Sequence, residues 1–260
     1  MNKLFTGIDL DHENHIYKLK RQLFHVHRFL NPSWLSKLLP ESILYDEDFN
    51  FTSVTEFIYL FFRKFDQEKI AQKLTTEHTK YMHMSVEELI EQWSKGAERG
   101  TIVHNELELF INEGVEPKHK LATTGWEWIK DKQKNPDNIF HSEVIVFSKK
   151  LKIAGTIDLL IHNKKSDTYH LLDWKTNKRI DERSFGGKKG ILNSTEHLDD
   201  CNFNHYSLQL SFYRYILENH YGLKVDKQLL FHLKENNYKI YDINYHENDL
   251  VNMLKEKELL

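Results

Sequence analysis

Between Val144 and Thr176 the apolar residues of this chain change period. Val144-Ile-Val-Phe147, Ile153 to Ile161 and Tyr169 to Thr176 are short runs of β-branched and aromatic residues, separated by lysine-rich stretches and by Asn163-Lys-Lys-Ser-Asp167. Runs of this kind, punctuated by turn residues, form consecutive antiparallel strands. A sheet so built must cover its apolar faces, and the rest of the sequence supplies helices to do it.

Ser53-Val-Thr-Glu56 is a capping box that opens a helix running to about Leu74. Ser85 and Glu88 repeat the pattern ahead of a stripe of Leu89, Trp93, Val103, Leu107 and Phe110. Gly96 and Gly100 interrupt that stripe, which predicts a break or a close backbone approach just before His104. Further helices are expected over about 17–29, 126–132 and 206–220, the last ending at Gly222. A loop from Asn177 to Asn204 precedes that last helix. Strands over 227–234 and 238–243, joined at Glu235-Asn-Asn237, and a terminal helix complete the pattern. Helices flanking a mixed sheet give an α/β (α+β) architecture.

Several classes are excluded by composition. The 260 residues, 40% of them apolar, suffice for one sizeable core with helical additions. Asp9, Asp11 and Glu13 interrupt the start where an export signal needs an apolar stretch, and Arg63 and Lys64 cut the greasiest run, Phe57 to Phe65. No membrane span and a cytoplasmic location are therefore expected. A single cysteine, Cys201, excludes an internal disulfide and any all-cysteine metal site. Net charge is −3, yet residues 147–190 hold eleven Lys or Arg against five acids, so this segment is +6 and the remainder −9. A local basic field on an acidic body suits contact with a polyanion at one place, and equally fits a solvated lysine-rich hairpin.

The chemistry is concentrated in the hairpin. Alternation places Ile153, Gly155, Ile157, Leu159 and Ile161 on one face of their strand and Asp158 on the other, while Tyr169, Leu171, Asp173 and Lys175 share a face of the next. A turn centred on Lys165 or Ser166 sets Asp158 opposite Asp173 to within one residue, with Cβ atoms about 5 Å apart. Two carboxylates so close among Leu and Ile repel each other and lose solvation, and a bound divalent cation compensates both. Hard oxygen donors favour Mg²⁺ or Mn²⁺. Such a cation leaves room for water and phosphate oxygens, and Lys175, on the same face as Asp173, can reach a phosphate held there and stabilise charge on its oxygens. Taken alone, an Asp-x-Lys pair also fits an exposed ion pair at a strand end.

Glu143, then Gly155-Thr-Ile-Asp158, then Asp173-Trp-Lys175 resembles the PD-(D/E)XK nuclease superfamily, specifically its RecB-type branch, in which Gly-x-x-Asp replaces Pro-Asp. Gly100-Thr-Ile-Val-His104 upstream is similar to that branch's Gly-x-x-x-His motif, and Gln209-Leu-Ser-Phe-Tyr213 downstream to its Gln-x-x-x-Tyr motif. The resemblance spans about residues 53–215. It implies a restriction-endonuclease-like core over 85–260 behind an N-terminal helical region, 1–84.

It also implies roles for individual residues. His104, Asp158, Asp173 and the Trp174 carbonyl become metal ligands, Lys175 the catalytic lysine, and Glu143 an acid near the metal or bracing it. Gln209 and Tyr213 are placed near the active site, contacting DNA or supporting the site, and otherwise are a packed tyrosine and a solvent-facing glutamine. Glu108, one turn after His104, is either a supporting acid or a solvated helix position. Lys178, Arg179, Lys188 and Lys189 lie in a basic mobile loop suited to tracking a DNA backbone. Gly186-Gly-Lys-Lys-Gly190 lacks the phosphate-loop pattern, and no His-Glu-x-x-His zinc motif is present. The implied activity is Mg²⁺- or Mn²⁺-dependent DNA cleavage, exonucleolytic on free single- or double-stranded ends. It would come from a stand-alone module without an iron-sulfur cluster, akin to phage, mobile-element or mitochondrial DNA-processing enzymes. The competing expectation is a DNA-binding member of the same fold that has lost catalysis.

Overall fold

A computed structural model of the chain describes residues 8–11, 16–19 and 50–260. Strands β1 (Ile8–Asp11), β2 (Ile16–Leu19) and β3 (Asn50–Ser53) pair antiparallel in sequence order. The main sheet contains β4 (Asn138–Ser148), β5 (Ile153–Asn163), β6 (Thr168–Lys175), β7 (Val225–Leu233) and β8 (Tyr238–Asp242). β4, β5 and β6 form the expected antiparallel meander, β7 lies parallel to β6, and β8 returns antiparallel. β3 runs parallel to the start of β5, through Thr52↔Ile153 and Ser53↔Ala154. The result is a mixed sheet flanked by helices, as the sequence predicts.

One face is covered by α1 (Val54–Tyr59), α5 (Asn202–Tyr221) and α6 (Glu247–Glu256). Their Phe57, Phe212, Ile216 and Leu254 pack on Val144, Val146, Ile153, Ile157 and Leu171. The other face is covered by α3 (Val86–Glu113) and α4 (Lys120–Gln133). There Val103, Leu107, Trp128 and Ile129 meet Leu159, Leu172, Trp174 and Phe231. A further helix, α2 (Gln67–Glu77), is N-capped by Asp66.

Both capping boxes are present, at Ser53/Glu56 and Ser85/Glu88. The helix expected to run from 53 to 74 is instead two. α1 ends in a tight turn in which the Phe61 and Phe62 N–H groups donate to the Ile58 and Tyr59 carbonyls, the Phe61 carbonyl accepts from Ile191 N–H at 2.8 Å and the Thr195 hydroxyl at 3.2 Å, and Asp66 starts a new helix. Helix α3 passes through Gly96 and Gly100 without a break, so of the two alternatives there the close approach holds. A Cβ at Gly100 would stand 3.3 Å from Thr176 Oγ1 at the end of β6. Of the helix expected over 17–29, residues 17–19 lie in β2 and the others fall outside the described residues.

The expected alternation along β5 fails at one point. Ile157 belongs to the α1/α5 core, Leu159 to the α3/α4 core and Leu160 to the α1/α5 core again, so the phase slips at Asp158. Across the ladder Ser142 pairs with Leu159 and Val144 with Ile157, while Glu143 and Asp158 form no pair between them. Glu143 has φ 49°, left-handed backbone that a non-glycine residue adopts at a cost of about 1–3 kcal/mol. Both acids thus occupy a local distortion in otherwise regular strands.

Candidate metal centre and nuclease site

The distortion sits where β5 and β6 part. Their ladder ends at Leu159↔Leu172, and one further step of the same register sets Asp158 opposite Asp173. At that step the Trp174 N–H donates to Asp158 Oδ2 at 2.7 Å, so a side chain takes the place of the next strand bond. The Trp174 indole anchors the strand end in the α3/α4 core, with ring centroids 4.8 Å from Phe231 and 6.3 Å from Trp128. Strand alternation then directs Asp173 and Lys175 to the opposite face, towards α5.

His104 reaches the same gap from α3. Its Nε2 lies 3.0 Å from the Trp174 carbonyl oxygen, and because a carbonyl only accepts, Nε2 carries the hydrogen. In the neutral ring Nδ1 then carries the lone pair, and it lies 3.6 Å from Asp158 Oδ2. A backbone carbonyl fixing the tautomer of a histidine is the outer-shell arrangement found at metal sites. The close approach at Gly100, one turn earlier, brings α3 near enough to β6 for this contact.

His104, Glu143 and Asp158 form a group whose donor atoms lie within 4.8 Å of one another. Asp173 is 2% exposed and is turned to Lys175, with Oδ2 and Nζ 2.5 Å apart. Burial pushes the Glu143 carboxyl up to about 9, helped by the charges of Asp158, Glu108 and Asp173 and opposed by Lys175. Asp173 is pushed up to about 6 by burial, against the pull of Lys175 and with the push of Asp158. Burial works to lower the Lys175 ammonium, but the Asp173 and Asp158 carboxylates outweigh it and hold the pKa raised.

These groups fit a divalent cation on chemical grounds. Acids held in a partly desolvated gap are relieved either by protonation or by a bound cation, and a cation is what lets them stay ionised together. Two carboxylates and one imidazole nitrogen with a free lone pair form a donor set with room for water or phosphate oxygens.

Two further residues close the site. The Lys175 ammonium lies 4.6 Å from the centroid of the Tyr206 ring, and the Tyr206 hydroxyl donates to Asn177 Oδ1 at 3.0 Å. Glu108, left open between two roles in the sequence, stands close enough to add to the charge raising Glu143. Tyr206 carried an unused signal, since Tyr206, Gln209 and Tyr213 are spaced i, i+3, i+7 along one face of α5.

The remaining residues are placed as follows. Tyr213 is buried in the α1/α5 core, and Gln209 Nε2 donates to its hydroxyl at 3.0 Å and to Thr55 Oγ1 at 3.5 Å. Lys178 lines a cavity beside Thr176 and Asn177. Arg179 pairs with Asp181 at 2.9 Å. Lys189 is held by Asp199 at 2.5 Å and by the His197 carbonyl, and the exposed Lys188 accepts from Asp200 N–H through its own carbonyl. The loop carrying Lys188 and Lys189 is thus pinned by bonds to residues 197–200. Among the described residues no helix is long and apolar enough to cross a membrane.

A sequence model of the PD-(D/E)XK nuclease superfamily matches residues 63–258. No curated protein matches the chain. A solved protein described as "Crystal structure of SSO0001" is 16% identical over 88% of this chain and 84% of its own, with a TM-score of 0.38. The match to the superfamily takes in α3, the whole meander and α5, and the chain belongs to the PD-(D/E)XK nuclease superfamily.

Proposed function

We propose that the chain is a RecB-type DNA nuclease, without an iron-sulfur cluster, that hydrolyses phosphodiester bonds with Mg²⁺ or Mn²⁺ and works from free DNA ends. The observation that carries this reading is the gathering of His104, Glu143 and Asp158 beside the Asp173–Lys175 pair at the splayed end of β5 and β6. His104 Nδ1, Asp158 and Glu143 would hold the cation, and Asp173 would add negative charge beside it. When bound, such a cation polarises a phosphodiester and lowers the pKa of a coordinated water.

The protein's own groups do the positioning. The Trp174 N–H fixes Asp158 and the Trp174 carbonyl fixes His104, so two side chains are oriented by one peptide segment. Lys175 is held as an ammonium by Asp173, where it orients the attacking water and offers positive charge to the phosphoryl oxygens. Tyr206 packs over that ammonium and shields one side from solvent. The basic residues after β6, Lys178 foremost, attract the DNA backbone.

End-labelled single-stranded and duplex DNA incubated with Mg²⁺ or Mn²⁺ tests the reading. Release of short products from the ends, abolished by chelator, is expected. DNA left intact in both metals, with a gel shift that persists in chelator, would identify a binding protein that has lost catalysis.

A further inference from the structure

A cavity of about 460 Å³ opens beside the site, between the first half of α3 and the residues that follow β6. Thr176 and Asn177, immediately after Lys175, form one wall, and Gly100, one turn before His104, lies in the other. Its volume falls in the range of small-ligand pockets, about 300–1,000 Å³. We propose that this cavity receives an unpaired nucleobase of the substrate strand, next to the phosphodiester addressed by Lys175. The proposal rests on the nuclease reading above and narrows its substrate to strands whose terminal bases are free of a duplex.

The lining groups argue for a base rather than for a bare phosphate or an apolar ligand. Trp93 and Tyr81 supply aromatic faces. A base inside a duplex shows only its edges, so an aromatic wall suits a base that has left the stack. Gln92 and Asn177 bring amides able to meet the edge of any base, and Asn177 Oδ1 already accepts from Tyr206, which leaves its amino group to donate. Arg99 and Lys178 bring positive charge for the attached phosphates. Arg99 Nη2 donates to the Thr176 carbonyl at 3.4 Å, which turns the guanidinium towards the end of β6. Its Nε is buried with no hydrogen-bond partner among the described residues, a donor awaiting an acceptor.

Two variants test the cavity by opposite means. Trp93→Ala removes the stacking face. Gly96→Leu fills the space from α3, where a Cβ would meet nothing within 4 Å and where leaving glycine favours the helix. Binding of fluorescein-labelled oligothymidylate and of a blunt duplex of equal length is measured in Ca²⁺ and, separately, in chelator. Both variants are expected to weaken the oligonucleotide about tenfold, as loss of one base stack does, and to leave the duplex unchanged. Unaltered oligonucleotide affinity in Gly96→Leu would overturn the proposal, and so would an equal loss on the duplex. Because binding in chelator needs no hydrolysis, failure of the wild-type protein to cleave DNA would count against the nuclease reading alone.

Discussion

The ring of Tyr213 lies against the backbone of Gly155: a Cβ added at that glycine would stand 2.5 Å from Tyr213 Cε1 and 3.1 Å from Val54 Cγ2. Two motifs separated by more than fifty residues are therefore halves of one contact. The glycine leaves room for the tyrosine, and the tyrosine seats α5 against β5 just ahead of Asp158. Gln209 then bonds the Tyr213 hydroxyl and reaches Thr55 on α1, so the pair braces the helices beside the site.

Gly155→Ala should accordingly destabilise the protein by about 1–3 kcal/mol through overpacking. Thermal or denaturant unfolding of Gly155→Ala, Tyr213→Ala and the double variant checks this. The double variant should be more stable than the sum of the singles by about 1 kcal/mol, since removing the ring removes the clash. Strict additivity would show that the contact is not the reason for glycine.

Trp174 has a structural role that its place between Asp173 and Lys175 does not advertise. Its indole is fully buried against Trp128 and Phe231, and this fixes the strand end that carries Asp173 and Lys175 on either side of it. Trp174→Ala is expected to cost about 3–5 kcal/mol, and Trp174→Phe much less. Equal unfolding midpoints for Trp174→Ala and wild type would contradict the anchoring role.

How much of this was legible in the sequence follows from the range of each interaction. The meander, both capping boxes and the facing of Asp158 and Asp173 depend on local periodicity and a short turn, and they could be read directly. The split after Tyr59 could not, because the turn that follows it is held from far along the chain, where Ile191 and Thr195 bond the Phe61 carbonyl. Nor could the phase slip at Asp158, which is shared with a left-handed Glu143 on the neighbouring strand. Lys189 looked like a free phosphate contact because its partner, Asp199, is acidic and ten residues away across a bridge. The match over 63–258 shows the superfamily, as the motifs implied, while the part played by each site residue rests on the geometry and awaits the variants.

The acids of the site predict a coupling between pH, metal and stability. Glu143 is raised to about 9 and Asp173 to about 6, so folding favours their protonated forms. Their contribution is fully present below the ordinary carboxyl range and is lost as pH rises through those raised values. A cation binds the ionised forms and reverses the loss. The rise in Tm on adding Mn²⁺ should therefore be larger at pH 8 than at pH 5.5. A metal-induced shift that does not vary with pH would count against these acids as its ligands.

His104 reaches from α3 to the Trp174 carbonyl through Nε2 and sets Nδ1 3.6 Å from Asp158, the position from which we propose it binds a cation. His104→Ala should weaken Mn²⁺ binding about tenfold or more, read by calorimetry, with the fold retained. Lys175→Ala should leave Mn²⁺ bound while hydrolysis is lost. If His104→Ala binds Mn²⁺ as wild type does, the histidine is structural.

The central claim is that Asp158 and Lys175 together make this gap hydrolytic. It is tested most directly by the rate at which wild-type, Asp158→Ala and Lys175→Ala proteins cut labelled DNA in Mn²⁺. The account predicts cleavage by the wild-type protein and a fall of at least about a hundredfold in each variant. Variants that cut as fast as the wild type would contradict it.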